Sequence, residues 1–89
     1  MNLERIEAFV SIARQGQLGR AALSLALQSS ILSRRISALE RECGGPLFYR
    51  TGRGMTLSPL GERLLPHAEA LLVSSVNQGE TAASIKVRL

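Results

Sequence analysis

The chain has 89 residues, of which 45% are hydrophobic and only 3% aromatic, so it carries one small domain whose core must be built from Leu, Ile, Val and Ala, a composition that favours helices. One cysteine, one histidine and no aspartate exclude a disulfide framework within the chain and leave no material for a catalytic triad, a carboxylate dyad in a pocket or a metal cluster, so the chain reads as non-enzymatic and without a cofactor. The formal net charge of +4 is confined to one part: residues 1–57 hold eight arginines against four glutamates, whereas residues 58–89 balance three cations with three glutamates, a distribution expected if phosphates are the partner.

In chain order, Leu3, Ile6, Phe9, Val10 and Ala13 recur at helical spacing. Asn2 is available as N-cap and Gly16 as terminator, which predicts a first helix over residues 3–15. The start of the chain has no basic segment followed by an apolar one, and no run approaches the roughly 18 apolar residues that cross a bilayer. A cytoplasmic protein with no membrane partner is expected. Leu18, Ala21, Ala22 and Leu25 make the buried stripe of a short second helix, broadened by Leu23 and Leu27, and Ala26, Leu27 and Gln28 form the break after it.

Unrolled at about 100° per residue, the third helix places Leu32, Ile36, Leu39 and Cys43 on a core face. Ser30, Arg34, Ser37 and Arg41 lie opposite, with Ser33 on the flank. Small hydroxyls interrupted by arginine suit a groove-reading helix, because Ser admits the backbone close to the bases while Arg reaches their edges or the phosphates. The same pattern also describes a solvated amphipathic face. Gly44, Gly45 and Pro46 stop this helix, and two strand-like runs, residues 47–50 and 55–57, flank a four-residue loop, Thr51 to Gly54, with Arg53 at its tip. The order of short helix, break, helix and hairpin is that of a helix-turn-helix followed by a wing.

Ser58 and Pro59 open the last helix with a capping hydroxyl and a proline at the first helical position, and Glu62 sits near its positive end. Leu60, Leu64, Leu65, Ala68, Leu71, Leu72, Ser75 and Val76 continue it toward Gly79, and Pro66 within it predicts a kink or distorted turn because Glu62 loses its donor. Twenty residues span about 30 Å, more than so small a core needs. The surplus apolar length therefore asks for a partner chain. Leu64, Ala68, Leu71 and Ser75 alternate steps of four and three, as a coiled-coil seam does.

The opening Met1-Asn-Leu-Glu-Arg-Ile-Glu-Ala-Phe9, the stretch from Gly16 through Arg20 to Ala22, the pattern from Leu32 to Glu40, and Leu47-Phe with Arg50-Thr-Gly-Arg53 through Leu57-Ser-Pro and Gly61 resemble the amino-terminal domain of LysR-type transcriptional regulators over residues 1–78. That resemblance implies a mainly α fold: a winged helix-turn-helix of three helices plus a two-stranded wing, then a long dimerisation or linker helix. It divides the chain into a DNA-binding domain (1–58), a linker and dimerisation helix (59–79), and a tail (80–89) toward an effector-binding domain expected in a longer parent chain. The implied function is sequence-selective binding of double-stranded DNA at an inverted-repeat site by a homodimer, for regulation of transcription. Five residues, at three places, depart from the family pattern. Gln28, Ser29 and Ser30 stand where Ser-Gln-Pro is usual, which predicts a shift of the helix cap to Ser29; Gly19 replaces a common Thr; Gly54 replaces a second basic wing residue.

Ser29, Ser30, Ser33 and Arg34 are accordingly assigned to the major groove, with Ser37 on the same face and Arg34 the candidate for a base edge. Arg50 and Arg53 are assigned to the minor groove or its phosphates. Arg20 either touches phosphate or anchors Glu40 or Glu42, and Arg35 and Arg41 read as solvated helix charges. Leu60, Leu64, Ala68, Leu71, Leu72 and Ser75 are the dimerisation candidates. Cys43 reads as a packed thiol, and His67, with no second ligand at helical spacing, as a solvated side chain. The competing reading is a winged-helix dimer that serves as a protein-interaction module or as an architectural DNA binder without sequence choice.

Overall fold

The extended backbone of Asn2 starts the first helix, α1 (Leu3–Gln15), and its side-chain oxygen accepts the Arg5 amide at 2.9 Å. The computed structural model describes residues 2–79, with side-chain surroundings through Ser74. Their order is α1, α2 (Leu18–Ser24), α3 (Ser29–Cys43), β1 (Phe48–Thr51), β2 (Gly54–Leu57) and α4 (Pro59–Gly79). The expected tail, residues 80–89, lies outside the described residues.

α1 is the centre of the molecule, in contact with α2, α3, α4 and β2. Surrounded in this way, it buries Ile6, Ala8, Phe9, Val10 and Ile12, a wider band than one helical stripe. Leu3, expected in that stripe, is 49% exposed, because as the first residue of the helix it lies ahead of the buried turns that begin at Ile6. Ala21 and Ala22 let α2 approach α1 closely, and Leu32, Ile36 and Leu39 close the core from α3. Leu23 departs from the expected stripe and is 83% exposed. It lies about 200° around the helix from Ala21 and about 100° from Ala22, off the inward face. Phe9 and Phe48 tie α1 to the wing, ring centroids 5.4 Å apart and tilted by 51°.

The turn between α2 and α3 is closed by two reverse hydrogen bonds, from the Leu27 amide to the Ala22 carbonyl at 2.9 Å and from the Ala26 amide to the Leu23 carbonyl at 3.1 Å. This is a Schellman closure, which places one residue in the left-handed region. Here that residue is Ala26, at φ 56°. A β-carbon in that conformation costs roughly 1 kcal/mol or more relative to glycine. The turn therefore stores a small strain directly before the helix that carries Arg34.

The wing is an antiparallel pair in the register Phe48 with Leu57, Tyr49 with Thr56, Arg50 with Met55 and Thr51 with Gly54. Its loop is shorter than expected: Thr51 and Gly54 pair, leaving Gly52 and Arg53 as the connection. The Thr51 hydroxyl accounts for the tightening, since it accepts the Arg53 amide at 3.2 Å and donates to the Gly54 carbonyl at 3.3 Å. At the other end of the hairpin, Ser58 caps α4 as expected by accepting the Gly61 amide at 3.0 Å, and its hydroxyl also donates to the Pro46 carbonyl at 2.6 Å. The Ser58 amide donates to the Leu47 carbonyl at 2.9 Å. A β-carbon on Gly61 would meet that same carbonyl at 2.2 Å, so the close seating of α4 on the strand entrance needs glycine there.

α4 continues through Pro66 to Gly79. Glu62 and Pro66 are both exposed, so water can serve the Glu62 carbonyl that the proline leaves without a donor. The inner face of α4 packs on α1 through fully buried Ala68, with Leu60, Leu64, Leu65 and Leu72 partly buried around the core. Among the described residues no helix is long and apolar enough to cross a membrane.

Candidate nucleic-acid interface

α3 divides along its length as the 3.6-residue period requires. Leu32, Ile36 and Leu39 are buried, whereas Ser29, Ser30, Arg34, Ser37 and Arg41 are exposed and Ser33 lies half-buried at the boundary. The first residue of the helix is Ser29 and its cap is Gln28, whose extended backbone makes no side-chain hydrogen bond to the first turn. This corrects the expected shift of the cap to Ser29. A helical serine cannot fold its hydroxyl forward onto the next amides, and the glutamine side chain is not the short oxygen that capping needs. The helix thus opens with exposed Gln28, Ser29 and Ser30 and with first-turn amides that no side chain caps.

Arg50 and Arg53 are exposed on the wing, Arg50 on β1 and Arg53 in the two-residue turn, with Tyr49 52% exposed beside them. The wing is held against the α1–α2 junction, where the Met55 amide donates to the Gly16 carbonyl at 2.8 Å. A β-carbon on Gly54 would lie 2.3 Å from that carbonyl oxygen. Glycine at this position, which reads in the sequence as a lost basic residue, is what lets the two backbones touch. Arg20, exposed in the first turn of α2, follows this contact by a few residues.

Charge pairing separates the arginines into two groups. Arg5 pairs with Glu42 at 2.8 Å, Arg14 with Glu69 at 3.7 Å and Arg35 with Glu4 at 3.6 Å. Among the described residues, Arg20, Arg34, Arg41, Arg50, Arg53 and Arg63 form no ion pair. Neither acidic neighbour considered for Arg20 engages it: the Glu40 carboxylate accepts the Leu47 amide at 2.8 Å, and Glu42 holds Arg5. Glu40, considered in the sequence only as a possible partner of Arg20, instead ties the end of α3 to the start of β1 and so sets where the wing leaves the helix. A glutamate one turn before the end of a helix carries no signal of that role in the sequence.

Cys43 packs half-buried at the end of the core face; burial and then the Glu42 carboxylate push its thiol up, so thiolate is scarce. His67 is exposed, and among the described residues no group of histidine, cysteine and carboxylate side chains could hold a metal ion.

The dimerisation candidates fall into three sets. Ala68 is fully buried within the chain, against α1, and is removed from the outward seam: four- and three-residue steps define a face but not which neighbour covers it. Leu60, Leu64 and Leu72 likewise lean on the core. Leu71 is 47% exposed and Val73, absent from the sequence assignment, is 59% exposed. The side chain of Ser75 lies outside the described residues.

A buried three-helix core, an outward α3 and a hairpin anchored beside it define a winged helix-turn-helix protein. Residues 3–62 match the model of the lysR family of bacterial regulatory helix-turn-helix proteins, and the chain belongs to that family. It is similar to the HTH-type transcriptional regulator YofA of Bacillus velezensis, 46% identical over 67 residues that cover 75% of this chain and 23% of that protein. It is also similar to the HTH-type transcriptional regulator HdfR of Yersinia enterocolitica, 44% identical over 72 residues, 81% of this chain and 25% of that protein. The chain thus spans about a quarter of the length of these curated relatives. Among solved structures, a complex of the CbnR DNA-binding domain with DNA aligns with a TM-score of 0.84 at 26% identity, covering 97% of this chain and 99% of that one. Oxidised OxyR of Corynebacterium glutamicum aligns with a TM-score of 0.82 at 34% identity, covering 85% of this chain and 23% of that one.

Proposed function

We propose that this chain binds double-stranded DNA sequence-selectively as a homodimer, at an inverted repeat, and thereby regulates transcription. The observation that carries the reading is the exposed face of α3, where serines surround Arg34, standing next to a wing whose Arg50 and Arg53 are free of ion pairs. Relatives named as transcriptional regulators, and the DNA-bound CbnR domain that shares the fold over nearly the whole chain, support it. In this arrangement α3 enters the major groove with Ser29, Ser30, Ser33 and Ser37 close to the bases and Arg34 reaching a base edge. Arg50 and Arg53 grip the adjacent minor groove, and Arg20, with no acidic partner, contacts a phosphate. The assigned division, a DNA-binding domain at 1–58, a pairing helix at 59–79 and a tail at 80–89 leading to an effector-binding domain, belongs to the same proposal, with Leu71, the exposed member of the dimerisation candidates, as the pairing residue on α4.

Selection of duplexes from a random pool at near-physiological salt, followed by sequencing, tests this reading. An enriched inverted repeat sustains it; recovery of duplex with no shared pattern reduces it to backbone binding, and recovery of nothing sinks it. On the selected site, Arg34→Ala lowers affinity about tenfold or more and relaxes preference at one position, whereas Arg53→Ala weakens all duplexes alike and makes the salt dependence shallower.

A further inference from the structure

A second basic feature lies between the start of α1 and the exposed side of α3. Asn2, Glu4 and Arg5 from the start of α1 and Arg34, Arg35 and Arg41 from α3 line an open cleft of about 290 Å³, roomy enough for a phosphate group with its waters. Four arginines face one glutamate there. Arg5 is committed to Glu42 at 2.8 Å, which neutralises the carboxylate next to Arg41 in sequence and leaves the Arg41 charge uncompensated. The Arg35–Glu4 pair is loose, at 3.6 Å with the Glu4 side chain 69% exposed. A pair of that kind contributes little and yields readily to a better anion.

Spacing along the helix says which anion. Arg41 lies seven residues, two turns, beyond Arg34 on the same face, about 10 Å along the axis. The major groove is about 12 Å wide. With Ser30 and Arg34 at the groove floor, Arg41 therefore emerges at the phosphate rim. We propose that this cleft is a second backbone site, in which Arg41 and Arg35 clasp a DNA phosphate where α3 leaves the groove, with Arg35 exchanging Glu4 for the phosphate. The inference rests on the DNA-binding reading above and reassigns two arginines that the sequence alone presents as solvated charges.

The test uses the intact chain and its selected duplex, with an unrelated duplex as comparison. Arg41→Ala and Arg35→Ala, each checked for an unchanged circular dichroism spectrum, are titrated across a salt series, and phosphate contacts are mapped by ethylation interference. The expected result is a loss of about fivefold to tenfold on both duplexes. The log–log salt slope becomes shallower by about one for each phosphate contact removed, and Arg41→Lys recovers most of it. One phosphate per half-site ceases to interfere, while base preference is unchanged. Wild-type slope and interference pattern in both alanine variants overturn the clamp while leaving DNA binding intact. A changed base preference in Arg41→Ala also overturns it, by making that residue a base reader. Failure of the unaltered chain to bind any duplex overturns the parent reading and the clamp together.

Discussion

The outer faces of α3 and α4 are both left uncovered by the core, and they differ in what they present. α3 shows serines and arginines without ion pairs, a surface that water and phosphates satisfy; α4 leaves the apolar Leu71 and Val73 exposed on different sides of the helix. The two helices have the same amphipathic construction on their inner sides, where Leu32, Ile36 and Leu39 of α3 and Ala68 of α4 are buried around α1. The inner residues therefore make the folded chain, and the outer ones decide what it meets.

Charge placed on the two sides of α4 breaks this comparison most severely. Ala68→Glu buries an unpaired carboxylate at a fully enclosed site and costs about 3 kcal/mol or more, read as loss of the cooperative thermal transition. Leu71→Glu, three residues on but 47% exposed, changes the stability of the chain by no more than about 0.5 kcal/mol while shifting the proposed dimer toward monomer in sedimentation. Equal unfolding by both would show that α4 has no distinct inner and outer face.

Gly54→Ala separates the wing from α4. Its new β-carbon meets the Gly16 carbonyl, so the hydrogen bond from Met55 is displaced at a cost of about 2 kcal/mol in denaturant titration. The proposed DNA binding weakens on all duplexes, and the proposed pairing through α4 is untouched. A variant as stable as the parent would mean that the hairpin is not held on the α1–α2 junction. Ala26→Gly acts in the opposite direction: relief of left-handed strain outweighs the entropy lost on ordering glycine, for a gain of about 0.5 kcal/mol in the same titration. Neither outer face changes, so DNA affinity and sedimentation stay at the parental values.

The smallest effect lies at the end of α3's inner face. The Cys43 thiol is raised above its ordinary value of 9.0 in the folded chain, first by burial. The folded state therefore holds this proton more tightly than the unfolded state, and the associated stability is present below that ordinary value and lost as pH rises through the raised one. Stability should decline slightly above about pH 9 in the parent, and Cys43→Ala should remove that part of the decline; an identical alkaline profile in both chains contradicts it.

By itself the amino-acid sequence determined the local structure: the bounds of α1 through Asn2 and Gly16, the polar and apolar sides of α3, the presence of a hairpin with Arg53 in its turn, and the capped start of α4 at Ser58. Caps, turns and helical period act over a few residues, so neighbouring positions suffice to reveal them. The rest required tertiary structure. Ala68 turned inward and Leu23 outward, Glu40 reached the Leu47 amide, Gly54 met Gly16, and Arg35 and Arg41 came to share a cleft with the start of α1. Periodicity gives the direction of a face but not its neighbour, and which residues meet across distant segments depends on how the helices pack. That packing paired Arg5, Arg14 and Arg35 with glutamates from other segments and left Arg20, Arg34, Arg41, Arg50 and Arg53 without an ion pair among the described residues.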